Sequence, residues 1–206
     1  MLGFYNYTVI LTYLGMLTGF YGITCLITGN RKGALVCLMI AGVCDMFDGK
    51  IASTMTRTKK EKRFGIQIDS LSDLICFGVL PALIVYTSAA GTVLFFPAAI
   101  YVLCALIRLS WFNVDEEERQ DLESGSRSVY YGLPVTTAAL IFPIMMEMCE
   151  KFGWSSARIG TMLLMIMAVS FLAPFKIRKP KLAGKIGILF LGAIGLIALF
   201  VGGMNI

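Results

Sequence analysis

Seven apolar runs, at 8–28, 33–52, 68–88, 92–112, 131–149, 156–174 and 183–203, leave few folds open to this chain. Each has the length of about 17–25 residues at which a helix crosses the hydrocarbon of a bilayer. In that medium every backbone N–H and C=O must be paired inside the protein, which a helix does within its own segment. Composition agrees: mean hydropathy is +0.78, and 15% of the 206 residues are charged, against roughly 25% in a soluble domain. The expectation is an all-α polytopic membrane protein, one membrane-embedded domain over residues 1–206. The first run lacks a cleavage pattern after it and reads as a retained span. The second run ends in acidic residues, and the fifth carries Pro134 and Pro143.

Charge is confined to the ends of these runs. TRTKKEKR at 56–63 holds five basic residues and FKIRKPK at 175–181 holds four. Basic loops stay on the cytoplasmic side, so both are assigned there, with the N-terminus inside and the C-terminus outside. The segment at 113–127, NVDEEERQDLESGSR, is too polar to insert and is expected to be a third inner loop. The six cysteines fall in apolar runs without metal-ligand spacing, and the chain has no histidine. No disulfide framework follows from them, and no nucleic-acid partner is expected.

Four aspartates stand out among only 13 acidic residues. Asp45 and Asp48 are three apart, Asp69 and Asp73 four apart, and on helices each spacing puts both carboxylates on one face. A hairpin of the second and third spans would gather all four at the cytoplasmic edge. Carboxylates so close repel one another and resist desolvation unless something neutralises them. Hard divalent cations do so through oxygen ligands and keep positions open for phosphate. Two plainer readings stand beside this one. Interfacial carboxylates can pair with Lys50, Lys59, Lys60 and Lys62, and an ion-coupled transporter also needs acidic residues in its spans. Transporters hold theirs near the midplane, whereas these sit at span ends.

The pattern Asp45-x-x-Asp48-Gly49-x-x-Ala52, then Gly65-x-x-x-Asp69-x-x-x-Asp73, resembles the signature of the CDP-alcohol phosphatidyltransferases. FGIQIDSLSDLICFGVLPA at 64–82, RLSWFNV at 108–114, YYGLPVTTAA at 130–139 and SFLAPFKIRKP at 170–180 resemble its phosphatidylserine synthase branch. The likeness is strongest over residues 1–180. The chain departs from the signature twice. Ser53 stands where the family has an arginine, and the 12 residues between Ala52 and Gly65 exceed the usual gap. Arg57, one helical turn beyond Ser53, is the candidate to reach the same phosphate region.

The resemblance implies a six-helix core with a C-terminal seventh span, and transfer of a phosphatidyl group from CDP-diacylglycerol to L-serine. Glycerol 3-phosphate or inositol phosphate is the alternative acceptor. It implies two Mg²⁺ or Mn²⁺ ions held by Asp45, Asp48, Asp69 and Asp73, with Asp73 also taking the acceptor's proton. Gly49, Ala52, Ser53, Arg57 and Gly65 would contact the cytidine and its phosphates. It implies, too, a homodimer in a prokaryotic plasma membrane, its active site facing the cytoplasm. Arg108, near the inner end of the fourth span, is a candidate for the serine carboxylate, which a guanidinium binds through two parallel hydrogen bonds. Its plainer reading is an interfacial arginine snorkelling beside Trp111.

Overall fold

In the computed structural model, residues 3–89, 92–122, 129–178, 187 and 192 are described. Helix α1 (Tyr7–Ile27) is followed by α2 (Arg31–Ala52) and α3 (Lys59–Asp73). A π-helical turn, Leu74–Val79, carries α3 without a break into α4 (Leu80–Tyr86). Then come α5 (Phe95–Leu122), α6 (Ala138–Phe152) and α7 (Ser156–Leu172). The described residues thus form six helical rods, with α3 and α4 as one. The run at 183–203 lies outside the described residues apart from 187 and 192.

Three rods, Tyr7–Ile27, Lys59–Tyr86 and Phe95–Arg119, are long and apolar enough to cross a membrane. Outward faces are greasy: Leu14, Leu17 and Phe20 of α1, Leu103 and Ile107 of α5, and Val169 of the shorter α7 are all exposed. Water would penalise such a surface by about 25 cal/mol per Å², so these faces suit lipid. The interior is tightly packed around Tyr101, whose ring meets Phe142 edge-on at 5.9 Å and Phe171 at 5.3 Å. Helix α1 approaches α2 and the π turn closely because it presents glycines there. A Cβ on Gly19 would overlap the Cys76 thiol, and one on Gly15 would lie 3.3 Å from Cys44 Cβ.

Local chemistry sets the helix boundaries. Asn30 caps α2 by accepting from Gly33 N–H at 2.8 Å. A capping box starts α3 well before the apolar run. Thr58 Oγ1 accepts from the Glu61 N–H at 3.2 Å, while Glu61 accepts from the Thr58 N–H at 2.8 Å. The basic stretch is therefore partly the first turn of a helix, which satisfies two orphan donors. Helix α5 likewise continues through Leu122, where residues 113–122 were expected to be loop. Its Glu, Arg and Gln residues are good helix formers, and Arg119 grips Glu116 one turn back at 2.6 Å.

The fifth run also differs from the simple span expected. A strand leads into it, β1 (Val129–Tyr131), paired antiparallel with β2 (Lys176–Arg178), Tyr130 opposite Ile177. Gly132 then turns the chain with φ +72°, a conformation costly for a side chain. Pro134 denies the helix a donor, so a 3₁₀ turn, Val135–Thr137, precedes α6. Gly132 N–H donates to Phe175 O at 2.8 Å and Leu133 N–H to Ser170 O at 3.0 Å. Two segments distant in sequence are thereby fastened together.

Candidate active site

The end of α2 and the middle of the α3–α4 rod meet beneath the first half of α1. Asp45 and Asp48 project from one face of α2, and Asp69 and Asp73 from one face of α3, as their spacings require. Carboxylate oxygens of Asp45, Asp48 and Asp69 lie within 4.8 Å of one another. Asp48 is buried, and Thr12 of α1 donates its hydroxyl to Asp48 Oδ2 at 3.1 Å. The Asp48 and Asp69 carboxyls are themselves in hydrogen-bonding contact. Two such groups stay together only with a proton or a cation between them.

Asp73 is placed differently. It is 9% exposed and lines the same small cavity of about 10 Å³, together with Thr12, Ser72 and Cys76. It is not part of the close trio, although the resemblance implied it among the metal ligands. No hydrogen bond among the described residues reaches its carboxylate. An acidic group that is nine-tenths buried, unpartnered and turned into a cavity suits contact with something bound there. The cavity wall includes Ser72, whose hydroxyl donates to Thr12 O at 3.4 Å. Cys76, one turn deeper, donates to Gly15 O at 3.4 Å.

The donor set fits a hard divalent cation. Three carboxylates supply oxygen ligands only, they converge from two neighbouring helices, and all three line the small cavity. Around them lie the other sequence candidates. Gly49 is exposed, and a Cβ built on it meets nothing within 4 Å. A Cβ on Gly65 would come 3.1 Å from Arg57 Nη1, so the Arg57 guanidinium rests over the glycine one turn before Asp69. Arg57 Nε is buried and has no hydrogen-bond partner among the described residues. Ser53 is occupied otherwise: it ends α2 with its hydroxyl on Lys50 O at 2.7 Å. Ala52, half-buried, is the last residue of α2.

Arg108 is 6% exposed on α5, its guanidinium 5.6 Å from the Phe112 ring centre. The snorkelling expected of an interfacial arginine is not seen. Instead the side chain sits beside Gly132, where an added Cβ would lie 3.4 Å from Arg108 Nε. The pairings Phe77 with Tyr101 and Ser70 with Asn113 put residue 73 level with 108 across the antiparallel rods. Sequence reasoning did not single out Thr12, Ser70, Tyr101 or Asn113. Asn113 had a signal, an amide inside RLSWFNV, whereas Thr12 sits in an apolar helix far from the motif.

The chain matches the model of the CDP-alcohol phosphatidyltransferase family over residues 5–201. It is 34% identical over 135 residues to an archaetidylserine synthase of Methanothermobacter thermautotrophicus, covering 64% of this chain and 53% of that protein. It is 35% identical over 156 residues to a CDP-diacylglycerol–serine O-phosphatidyltransferase of Saccharomyces cerevisiae, covering 68% and 54%. A protein of the same name from Helicobacter pylori is 28% identical over 145 residues, covering 68% and 55%. The chain spans about half the length of the curated relatives it matches.

Proposed function

We propose that this chain, which belongs to the CDP-alcohol phosphatidyltransferase family, transfers the phosphatidyl group of CDP-diacylglycerol to L-serine, giving phosphatidylserine and CMP. The observation that carries the reading is the convergence of Asp45, Asp48 and Asp69 beside the buried, unpartnered Asp73. The names of the relatives support serine: all three include it, while the lipid differs between them.

Each residue then has a task. Asp45, Asp48 and Asp69, with Asp73 beside them, would hold Mg²⁺ or Mn²⁺, two ions per site. Such ions supply charge compensation to a diphosphate and to the CMP that departs. The Arg57 guanidinium, resting over Gly65, offers its donors to the same diphosphate. Gly49 and Ala52 leave room for the nucleotide against α2. Asp73 orients the serine hydroxyl and accepts its proton as the oxygen attacks the phosphatidyl phosphorus. The new P–O bond forms as the P–O bond to CMP breaks, and the bond electrons leave with CMP. Arg108, level with Asp73, pairs with the serine carboxylate.

The diacylglycerol tails stay in the bilayer throughout, since each CH₂ withdrawn into water would cost about 0.8 kcal/mol. The site therefore opens sideways to lipid and toward the cytoplasm of a prokaryotic cell, within one catalytic domain that works as a homodimer. Labelling single cysteines placed at 59 and 90 with a membrane-impermeant reagent tests the orientation, and crosslinking in liposomes tests the dimer. The activity is tested by giving purified protein CDP-diacylglycerol, Mn²⁺ and one alcohol at a time: serine, glycerol 3-phosphate or inositol phosphate. Lipid formed only with serine supports the proposal. Lipid formed only with a phosphorylated alcohol refutes it and leaves the family standing.

A further inference from the structure

Asp73 has no hydrogen bond of its own among the described residues, yet its helix is fastened on both sides by α5. One i+4 row of α5, Tyr101, Ala105, Leu109 and Asn113, is buried along its whole length. Such a row is a packing ridge, and this one lies along the α3–α4 rod. At one end Tyr101, fully buried, donates its hydroxyl to Phe77 O at 2.8 Å. In the middle Ala105 fits against Gly78, where an added Cβ would come 3.5 Å from Ala105 Cβ. At the other end Ser70 donates to Asn113 Oδ1 at 2.5 Å, and Asn113 Nδ2 donates to Gln67 Oε1 at 3.2 Å. Residue 73 falls between the two polar contacts.

The π turn gives these contacts a purpose. Over Leu74–Val79 the helix holds one residue more per turn, with Leu80 N–H reaching back to Ile75 O. An extra residue rotates everything before it by about 100° relative to everything after it. Asp69 and Asp73 thereby line the cavity with Asp45 and Asp48 of α2, while Leu80 and Ile84 beyond the turn still face the core. Pro81, four residues after Phe77, has no N–H to return the ordinary helical bond to the Phe77 carbonyl, and its ring crowds that carbonyl. Tyr101 supplies the missing donor to the carbonyl inside the turn, and the Ser70–Asn113 bond fixes the register of α3.

We propose that Tyr101 and the Ser70–Asn113 pair are positioning residues that hold the π turn and so aim Asp69 and Asp73 into the site. Neither needs to touch substrate. The inference rests on the function proposed above for its kinetic readout, but not for its metal readout.

Ser70→Ala and Tyr101→Phe, singly and together, form the test, each removing a hydroxyl while leaving the fold's apolar packing in place. Rates per folded protein are measured at saturating substrates, with KM for serine and CDP-diacylglycerol. Binding of Mn²⁺ alone is followed by electron paramagnetic resonance, and thermal midpoints are recorded. Small misplacements of reacting groups lower rate steeply, so each variant should lose about 10- to 100-fold in kcat. Both KM values should stay within about threefold, and Mn²⁺ should bind several-fold more weakly. Because both contacts act on one segment, the double variant should lose less than the product of the single losses. Lowered thermal midpoints with parental kcat and parental Mn²⁺ binding would overturn the proposal, leaving two ordinary structural hydrogen bonds. Should the parent make no lipid from any alcohol, the functional reading falls, and unchanged Mn²⁺ binding in both variants would overturn this inference separately.

Discussion

Replacing Gly49 by alanine separates the site from the scaffold, because the two respond in opposite directions. Gly49 lies in the last turns of α2, and a Cβ there meets nothing within 4 Å. The exchange therefore strains nothing, and relieving a helix of glycine gains about 0.5–1 kcal/mol. Thermal stability should hold or rise slightly. If that open space receives the nucleotide diphosphate, the new methyl group occupies part of it. Overpacking a fitted contact costs about 1–3 kcal/mol, which corresponds to a rise of roughly 5- to 150-fold in KM for CDP-diacylglycerol. Serine KM should move little. Gly42→Ala is the control of opposite sign, since its Cβ would come 2.5 Å from Ala139 Cβ. That variant should melt earlier with KM unchanged in the folded fraction. Initial rates over a range of CDP-diacylglycerol in mixed micelles, with melting curves on the same samples, decide the matter. A Gly49→Ala enzyme with parental KM would refute the assignment of that space to substrate.

Other substitutions divide the labour among the charged groups. Asp73→Asn keeps shape but cannot take a proton, so turnover should fall at least about 10²-fold, with CDP-diacylglycerol binding retained in a filter assay. Asp45→Asn should damage both binding and turnover, because a ligand oxygen and a charge are lost. Arg57→Ala should raise KM for CDP-diacylglycerol about tenfold or more and leave serine KM alone, a charge-assisted contact being worth about 1.5–3 kcal/mol. Arg108→Lys should do the reverse, raising serine KM, because an ammonium cannot form the paired bonds of a guanidinium. Chelating divalent cations should stop lipid formation, and added Mn²⁺ should restore it, as followed by CMP release.

The aspartate spacings were legible because helix periodicity alone decides which residues share a face. The apolar runs also marked the rods: Tyr7–Ile27, Arg31–Ala52 and Ser156–Leu172 match them to within two residues at each end, whereas α3, α5 and α6 depart by more. What periodicity did not convey depends on contacts distant in sequence. Asp73 stands apart from Asp45, Asp48 and Asp69, a separation that spacing alone did not reveal. Within the π turn that follows, the Phe77 carbonyl accepts from a tyrosine 24 residues away. The pairing of Val129–Tyr131 with Lys176–Arg178 joins segments whose apolar neighbours suggested only spans. The extra turns of α3 and α5 were hidden by charge, which marks the membrane edge but does not end a helix. Arg57 could be suspected from sequence because Ser53 replaces the usual arginine, yet its place over Gly65 required the folded loop.

The central claim is that the serine hydroxyl oxygen attacks the phosphatidyl phosphorus in the site made by the four aspartates. Serine labelled with ¹⁸O in its hydroxyl tests this most directly. Purified protein in liposomes, supplied with CDP-diacylglycerol, Mn²⁺ and the labelled serine, should yield phosphatidylserine that retains the ¹⁸O, with one unlabelled CMP for each lipid made. The Asp73→Asn protein should yield neither. Lipid without the label, or CMP released with no serine incorporated, would contradict the account.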